Sequence, residues 1–370
     1  MRIIQIIDSL DIGGAEKMAV SFANSLSTRM EFSGLVVTRK EGNLKSEIKE
    51  NVNYLFLNRK HRFDFKAILR LKNYCKKNDI RTVQAHSSSF FIACMVKILY
   101  PKIKILWHDH NGIGIIPKRE GAIYLQIFSF FFKGVIAVNT QLEEWSKRKL
   151  FCKNVIYLQN YVVEEKEYKK DTILKGEDGK RVLYLANLRH QKNHFLLLEV
   201  VKKIHKNFPG WTFHLVGNDA NDAYSMNLKK EISSSNLEDV IFIYGSKQDV
   251  KNIINQCELG VFTSNSEGLP VALLEYGINK KPVVSTNVGQ ISFIVEHNKC
   301  GLICGVKNVE EFSFNLSKLL SDSMLREYFG EAIYKVIQDN YSENVVLDKY
   351  VSWIKEIKNI KINSLHAEKR

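Results

Sequence analysis

Residues 259–277 read LGVFTSNSEGLPVALLEYG. The first five residues, LGVFT, are a short apolar run with Val, Phe and Thr, the signature of a buried strand. SNSEG then interrupts the run with turn-forming residues. Pro270 opens the next apolar segment, and proline suits the first turn of a helix because its missing N–H had no partner there. The stretch therefore predicts a strand to Thr263, a loop, and a helix over about 271–279. Two carboxylates, Glu267 and Glu275, stand eight positions apart across that junction. One falls in the loop and the other near the second helical turn.

The same alternation extends in both directions. Towards the C-terminus lies PVVST (282–286), and towards the N-terminus lie VIFIY (240–244), TFHLV (212–216) and VLYLA (182–186). Helix-length segments fill the gaps near 193–207, 223–235 and 249–257, and helices continue over 309–338 and 343–359. The first half repeats the pattern with IIQII (3–7), GLVVT (34–38), TVQA (82–85), IKILW (103–107), GVIAV (134–138) and VIYL (155–158). Segment 15–26 puts Ala15, Met18, Ala19, Phe22 and Leu26 on one helical face. Strand and helix in alternation imply parallel sheets covered on both faces. The charged segment VVEEKEYKKDTILKGEDGK (162–180) divides the two runs. The expected fold is α/β, with two Rossmann-like doubly wound domains facing a central cleft. The expected boundaries are 1–162, a linker over 163–180, a second domain over 181–342, and a C-terminal helix over 343–370 that returns to the first domain.

Charge is unevenly distributed. The chain of 370 residues has a net charge of +14, and residues 1–170 hold 29 Lys and Arg against 16 Asp and Glu. The remainder is close to neutral. An asymmetry of this size points to an anionic partner for the first half, such as a lipid surface or a pyrophosphate-bearing acceptor. A nucleic-acid binder is disfavoured, since the excess lies on a sheet domain without a basic–aromatic motif. The six cysteines are scattered, and Cys300 and Cys304 form a lone C-x3-C with no second pair, so reduced thiols in a cytoplasmic protein are expected. The start, MRIIQIIDSL, has too short an apolar run for a signal peptide. No stretch reaches the length of a membrane span. GAIYLQIFSFFF (121–132) is too short but unusually aromatic. With Trp145, Lys147, Arg148 and Lys149 it could supply a peripheral membrane face.

In doubly wound sheets ligands bind beyond the carboxyl ends of the strands, so the strand ends hold the candidate residues. After the first strand come Gly13 and Gly14, ahead of a helix whose N-terminus would favour a phosphate. The spacing matches neither G-x-G-x-x-G nor a P-loop. His86 follows the third predicted strand and His108, Asp109, His110 and Asn111 follow the fourth. Alone, H-x-H lacks a third metal ligand nearby in sequence, so no metal site is expected. Asn139 and Asn160 follow later strands on the expected acceptor side. In the second half Arg189 and Lys192 sit at a strand-to-helix turn, where cations can neutralise a diphosphate leaving group. Gly217 and Gly245 close the next two strands. Around Glu267, backbone N–H groups of Gly268 and Leu269 precede Pro270. A loop acid can hold sugar hydroxyls, a helix acid a vicinal diol, and the helix start a phosphate. Glu267 and Glu275 thus bracket a site suited to a nucleotide-sugar.

These residues resemble a known family. S-N-S-E-G-L-P-V-A-L-L-E (264–275) is similar to the E-x7-E motif of the retaining glycosyltransferases of family 4, glycosyl transferases group 1, which have the GT-B fold. G-G-A-E (13–16), A-N-L-R-H-Q-K-N (186–193), K-P-V-V-S-T-N-V-G (281–289) and G-L-I (301–303) resemble its supporting elements, so the likeness runs over about residues 2–350. It implies metal-independent transfer of a hexose or N-acetylhexosamine from a nucleotide-sugar, UDP-sugars favoured, with retention of anomeric configuration and no cofactor. Glu267 would contact the donor sugar, Glu275 the ribose, and Arg189 and Lys192 the diphosphate. Gly13 and Gly14 would approach the diphosphate from the opposite domain. His110 or His108 would hold the transferred sugar near the reacting centre. The acceptor would be a glycan or a polyprenyl-diphosphate-linked glycan in surface polysaccharide biosynthesis, such as lipopolysaccharide or capsule, at the cytoplasmic face of the inner membrane. The chain departs from the family pattern at Tyr161 after Asn160, at Asn218, at G-Q-I-S-F (289–293), and in having its cation at Arg189, two places later than in many relatives. A nucleotide-sugar epimerase of the same fold, or a basic protein that binds anions without catalysis, are the alternatives.

Overall fold

The computed structural model describes residues 1–111, 123–164 and 167–367, with side-chain surroundings up to residue 357. It divides into two compact units, one of Met1–Asn160 with Glu343–Arg370, the other of Tyr161–Ser342.

The first unit runs β1 (Arg2–Ser9), α1 (Gly14–Leu26), β2 (Phe32–Lys40), β3 (Asn53–Phe56), α2 (Phe65–Lys77), β4 (Thr82–His86), α3 (Phe90–Leu99), β5 (Lys104–Asp109), α4 (Ile123–Ser129), β6 (Phe132–Ala137), α5 (Thr140–Lys149) and β7 (Val155–Tyr157). Its sheet has the order β3-β2-β1-β4-β5-β6-β7, and neighbouring strands are parallel throughout. The central strands are buried on both faces, as unbroken apolar runs require. In α1 the predicted face is right for Met18, Ala19, Phe22 and Leu26, which are buried, while Ala15 stays partly exposed. β3 was not anticipated. It is a four-residue strand, NYLF, paired with β2 alone, and an edge strand this short leaves little pattern to read. The C-terminal helix Glu343–Ala367 packs on this sheet. Trp353 sits so close to Gly134 of β6 that an added Cβ would come within 2.6 Å of its ring.

The second unit runs β8 (Arg181–Leu185), α6 (His194–Ile204), β9 (Thr212–Val216), α7 (Ala223–Ser234), β10 (Ile241–Ile243), α8 (Val250–Asn255), β11 (Leu259–Phe262), α9 (Val271–Ile278), β12 (Val283–Thr286), β13 (Leu302–Cys304), α10 (Val309–Ser321) and α11 (Ser323–Tyr341). The helix from Glu343 is α12. The sheet order is β10-β9-β8-β11-β12-β13. In each unit the order reverses between two neighbours, β1 and β4 in the first and β8 and β11 in the second. That reversal opens a crevice at the carboxyl ends of those strands.

The segment expected as a linker, 163–180, falls within the second unit. Asp249 accepts hydrogen bonds from the Asp171 and Thr172 backbone N–H groups at 3.0 and 2.6 Å, and Leu174 is buried in the core. Sparse apolar residues suffice here because one buried carboxylate gathers the backbone donors. All six cysteines are free and buried, and among the described residues no helix is long and apolar enough to cross a membrane.

Candidate active site

The strand reversal in the second unit brings Lys192 and Glu267 together. Lys192 follows β8 and Glu267 follows β11, the two strands that flank the crevice. Lys192 Nζ lies 2.6 Å from Glu267 Oε1, with both side chains largely buried. Ser264 donates its hydroxyl to the same oxygen at 2.6 Å. Tyr184, wholly buried in β8, reaches Ser264 at 3.2 Å and donates to the Lys192 carbonyl. Burial pushes its phenol well above the ordinary range. Thr263 donates to the carbonyl of Asn193 at 2.9 Å, and the Asn265 N–H donates to Gln191 at 2.8 Å. The two strand-end loops are thus laced to each other, not merely adjacent.

The loop after Glu267 is equally constrained. The Gly268 carbonyl accepts from the Gln290 N–H at 3.0 Å, and Leu269 is buried. Gly289 has φ +60, and a Cβ there would strike the Glu267 carbonyl oxygen at 2.3 Å. Pro270 caps α9 with φ −65, the value its ring imposes. Glu275 is half-buried in the second turn of α9. Its neighbour Tyr276 anchors that helix to the sheet, accepting from the Leu185 N–H at 2.8 Å and donating to the Leu183 carbonyl at 3.0 Å. Gly217 lies against the β8 loop, where a Cβ would meet the Ala186 oxygen at 2.1 Å. Arg189 is exposed and precedes the turn that carries Lys192. Sequence reasoning missed Ser264 and Tyr184. The hydroxyl three residues before Glu267 was a readable signal, whereas nothing local marks Tyr184.

In the first unit, three imidazoles gather where the sheet order reverses. β4 and β5 pair with His86 opposite His108, and β1 and β4 pair with Gln5 opposite Gln84. His86 Nδ1 lies 2.7 Å from His110 Nε2, and His86 Nε2 lies 2.8 Å from Gln5 Oε1. The His86 and His110 rings are 12° from coplanar. His108 lies over His110 with ring centroids 3.9 Å apart. Gln84 Nε2 contacts His108 Nδ1 at 2.9 Å, and Tyr350 of α12 donates to Gln84 Oε1. His108 Nε2 has no hydrogen-bond partner among the described residues. Burial holds His86 and His108 well below the usual imidazole range, with the neighbouring imidazoles adding to the effect. Burial lowers His110 to about 4, against the opposing pull of Asp109.

The sequence placed no third ligand beside His108 and His110, and the fold corrects this. His86 comes from the adjacent strand, so the ligating nitrogens of all three lie within 4.8 Å of one another. The arrangement is nevertheless poorly matched to a metal. Two nitrogens 2.7 Å apart share a hydrogen bond, whereas tetrahedral ligands about 2.0–2.1 Å from zinc stand roughly 3.3 Å from each other.

The remaining first-unit residues have structural positions. Gly13 is the extended N-cap residue of α1 and Gly14 its first helical residue. Asn139 caps α5, accepting from the Leu142 N–H at 2.8 Å, and Asn160 is buried after β7. Residues 112–117 of the glycine-bearing stretch after Asn111, together with Gly121 and Ala122, lie outside the described residues.

The chain is similar to known glycosyltransferases over most of its length. The family described as Glycosyltransferase Family 4 matches residues 12–162, and Glycosyl transferases group 1 matches residues 165–336. An Escherichia coli O-antigen biosynthesis glycosyltransferase, WbnH, is 25% identical, covering 91% of this chain and 96% of its own. A Campylobacter jejuni α-1,4-N-acetyl-D-galactosaminyltransferase that acts on an undecaprenol-diphosphate-linked glycan is 21% identical over 97% of this chain and 99% of its own. Among solved structures, Anabaena Alr3699/HepE in complex with UDP and glucose aligns with a TM-score of 0.80 at 14% identity, covering 96% of this chain and 100% of that one. This last likeness establishes the fold: two Rossmann-like domains of the GT-B type. With both family matches in place, the chain belongs to the family 4, group 1 glycosyltransferases.

Proposed function

We propose that the protein transfers a hexose or N-acetylhexosamine from a nucleotide-sugar, a UDP-sugar in the favoured case, to a glycan or lipid-linked glycan acceptor in surface polysaccharide assembly. The observation that carries this reading is the Lys192–Glu267 pair at the β8/β11 strand reversal, 2.6 Å apart and beside the start of α9. A cation and a helix start suit a diphosphate, and the two acids on either side of that helix start suit hydroxyls of sugar and ribose. The relatives' named roles in O-antigen synthesis and in extending an undecaprenol-linked glycan support the acceptor class.

On this reading Glu267 holds donor hydroxyls, Glu275 the ribose, and Arg189 and Lys192 the diphosphate. His110 contacts the transferred sugar. Glu267 is already bound by Lys192 and Ser264, which disfavours it as an attacking group. The acceptor oxygen bonds to the anomeric carbon as the bond to the diphosphate breaks on the same face. Its proton passes to the departing phosphate oxygen. Configuration is retained, no metal is required, and the side chains supply position and charge. An inverted product anomer by NMR would overturn this mechanism.

The test of the donor site is a thermal-shift series with UDP, GDP, ADP and TDP and their sugars, on wild type and Glu275→Ala. A ligand that binds the folded state must raise the Tm. Selective stabilisation by one nucleotide, lost in Glu275→Ala, is the expected result, and no shift with any nucleotide at millimolar concentration would sink the reading. Consumption of donor without acceptor, yielding an epimerised nucleotide-sugar, would favour the epimerase alternative.

A peripheral contact with an anionic bilayer accompanies this reading, on a face that keeps part of the aromatic stretch and loses Trp145. Trp145 is buried and belongs to the core, as do Leu125 and Phe132. The exposed apolar residues are Ile123, Tyr124, Ile127 and Phe130 of the aromatic stretch, with Phe63, Phe65 and Leu69 at α2. Phe91 joins the two groups, 5.3 Å from Phe63 and 5.4 Å from Phe128 between ring centroids. Residues 59–77 carry eight Lys and Arg against one acid, Asp64, whose carboxylate caps α2. Exposed aromatics within a cationic segment favour an anionic lipid interface.

A further inference from the structure

The histidines of the first unit carry an inference that rests on the reading of His110 as a sugar contact but goes beyond it. We propose that Gln5 and His86 are positioning residues that fix His110 in its Nε2–H tautomer, leaving Nδ1 as the hydrogen-bond acceptor for a substrate hydroxyl. Gln5 is fully buried in β1, and its Oε1 faces His86 Nε2 at 2.8 Å. An amide oxygen only accepts, so that nitrogen bears the proton. In a neutral imidazole the other nitrogen is then a lone pair. His86 Nδ1 faces His110 Nε2 at 2.7 Å, so the proton between them belongs to His110. The near-coplanar rings, 12° apart, suit an in-line bond of this kind.

Two further features support the chain. Burial keeps both imidazoles neutral at physiological pH, as defined tautomers require. His108 carries its own amide partner, Gln84, and lies over His110 at a 34° tilt without competing for its Nε2. His110 is the one member of the trio that is not fully buried, so it is the ring that can meet a ligand. Its remaining nitrogen, Nδ1, accepts a hydroxyl proton. For Nδ1–H to donate instead, the Gln5 amide would have to turn over so that its Nε2, which has no partner among the described residues, donated to His86, and the His86–His110 bond would have to reverse. The orientation of a second-layer amide thereby selects which groups on the sugar are accepted.

The test begins without substrate, so it is independent of whether the donor reading holds. Long-range ¹H–¹⁵N correlation spectra on histidine-labelled protein at pH 7.5 are expected to give a protonated Nε2 and an unprotonated Nδ1 for both His86 and His110. Gln5→Met, which keeps the volume and removes the acceptor, is expected to give mixed tautomers at both rings while the backbone spectrum stays folded. His86→Phe serves the same purpose for His110 if Gln5→Met does not fold. With an active donor–acceptor pair, Gln5→Met is expected to lower kcat roughly 3- to 10-fold, the worth of one neutral hydrogen bond, with nucleotide affinity unchanged. An Nδ1–H tautomer in wild type would overturn the proposal, as would a single unchanged tautomer in folded Gln5→Met. Stoichiometric Zn²⁺ binding that His108→Ala abolishes would also overturn it, by making the trio a metal centre. A correct tautomer with no kinetic effect would uphold the chain of bonds and remove His110 from sugar recognition.

Discussion

Lys192 and Glu267 are 75 residues apart in sequence and 2.6 Å apart in space, in a pair that little solvent reaches. Ser264 binds the same carboxylate oxygen. The pair ties together the loops after β8 and β11, so the site's charge balance and the loops' conformation depend on one contact.

Removing one partner should therefore hurt more than removing both. Lys192→Met leaves a buried carboxylate without its cation, and about 2–4 kcal/mol of stability is expected to be lost. The double substitution Lys192→Met with Glu267→Gln should recover a large part of that loss. Urea denaturation of the two single variants and the double variant forms a cycle that measures the coupling. Additive losses would mean that the two side chains are not coupled to each other in the folded state.

Gly289 and Gly245 make a matched comparison. Both have positive φ, +60 and +68, but a Cβ at Gly289 strikes the Glu267 oxygen at 2.3 Å, while one at Gly245 meets nothing within 4 Å. Gly245→Ala should cost about 1 kcal/mol from backbone strain alone. Gly289→Ala adds a backbone clash and should cost over 2 kcal/mol. It should also weaken nucleotide binding, through displacement of the Glu267 loop. Denaturation midpoints and calorimetric titration with nucleotide would check both parts.

The buried histidines predict an acid-labile first unit. An unfolded imidazole titrates near 6.5, whereas His110 is lowered to about 4 and His86 and His108 lie well below their usual range. As pH falls below about 6.5, the unfolded chain binds protons that the folded chain refuses, so stability declines. Each histidine contributes at most about 1.4 kcal/mol per pH unit to that decline. His108→Leu should flatten the slope between pH 6.5 and 5 by one proton's worth. An equal slope in wild type and variant would show that His108 is charged in the folded state.

For the lipid-facing reading, Phe63→Ser with Phe65→Ser should reduce flotation with anionic vesicles by about tenfold or more, since each exposed Phe would bury apolar area in the interface. Neutral vesicles should bind little in either case. Equal flotation of wild type with neutral and anionic vesicles would remove the electrostatic part of the argument.

Much of the site was readable because its residues cluster at strand ends, and strand ends are marked locally. Glu267, Pro270 and Glu275 lie within one strand–loop–helix stretch, and Lys192 falls in another. Their pairing was not readable, since it depends on β8 lying beside β11. His86 was legible only as a lone polar residue after a strand. Its partner Gln5 sits on β1 and His110 just beyond the end of β5, and only the order β1-β4-β5 makes them neighbours. Trp145 misled for a related reason. Beside three basic residues it reads as an interfacial aromatic, yet α5 turns its indole into the core and leaves the lysines outside.

The amino-acid order alone thus determined the alternation of strands and helices, the doubly wound class and the family. Those properties rest on short-range periodicity and on motifs contained in a single βα junction. The sheet orders, the Lys192–Glu267 pair and the Gln5–His86–His110 chain were decided only by tertiary structure. Parallel strands pair across many intervening residues, and the hydrophobic pattern that makes each strand bury itself is nearly the same for every choice of neighbour.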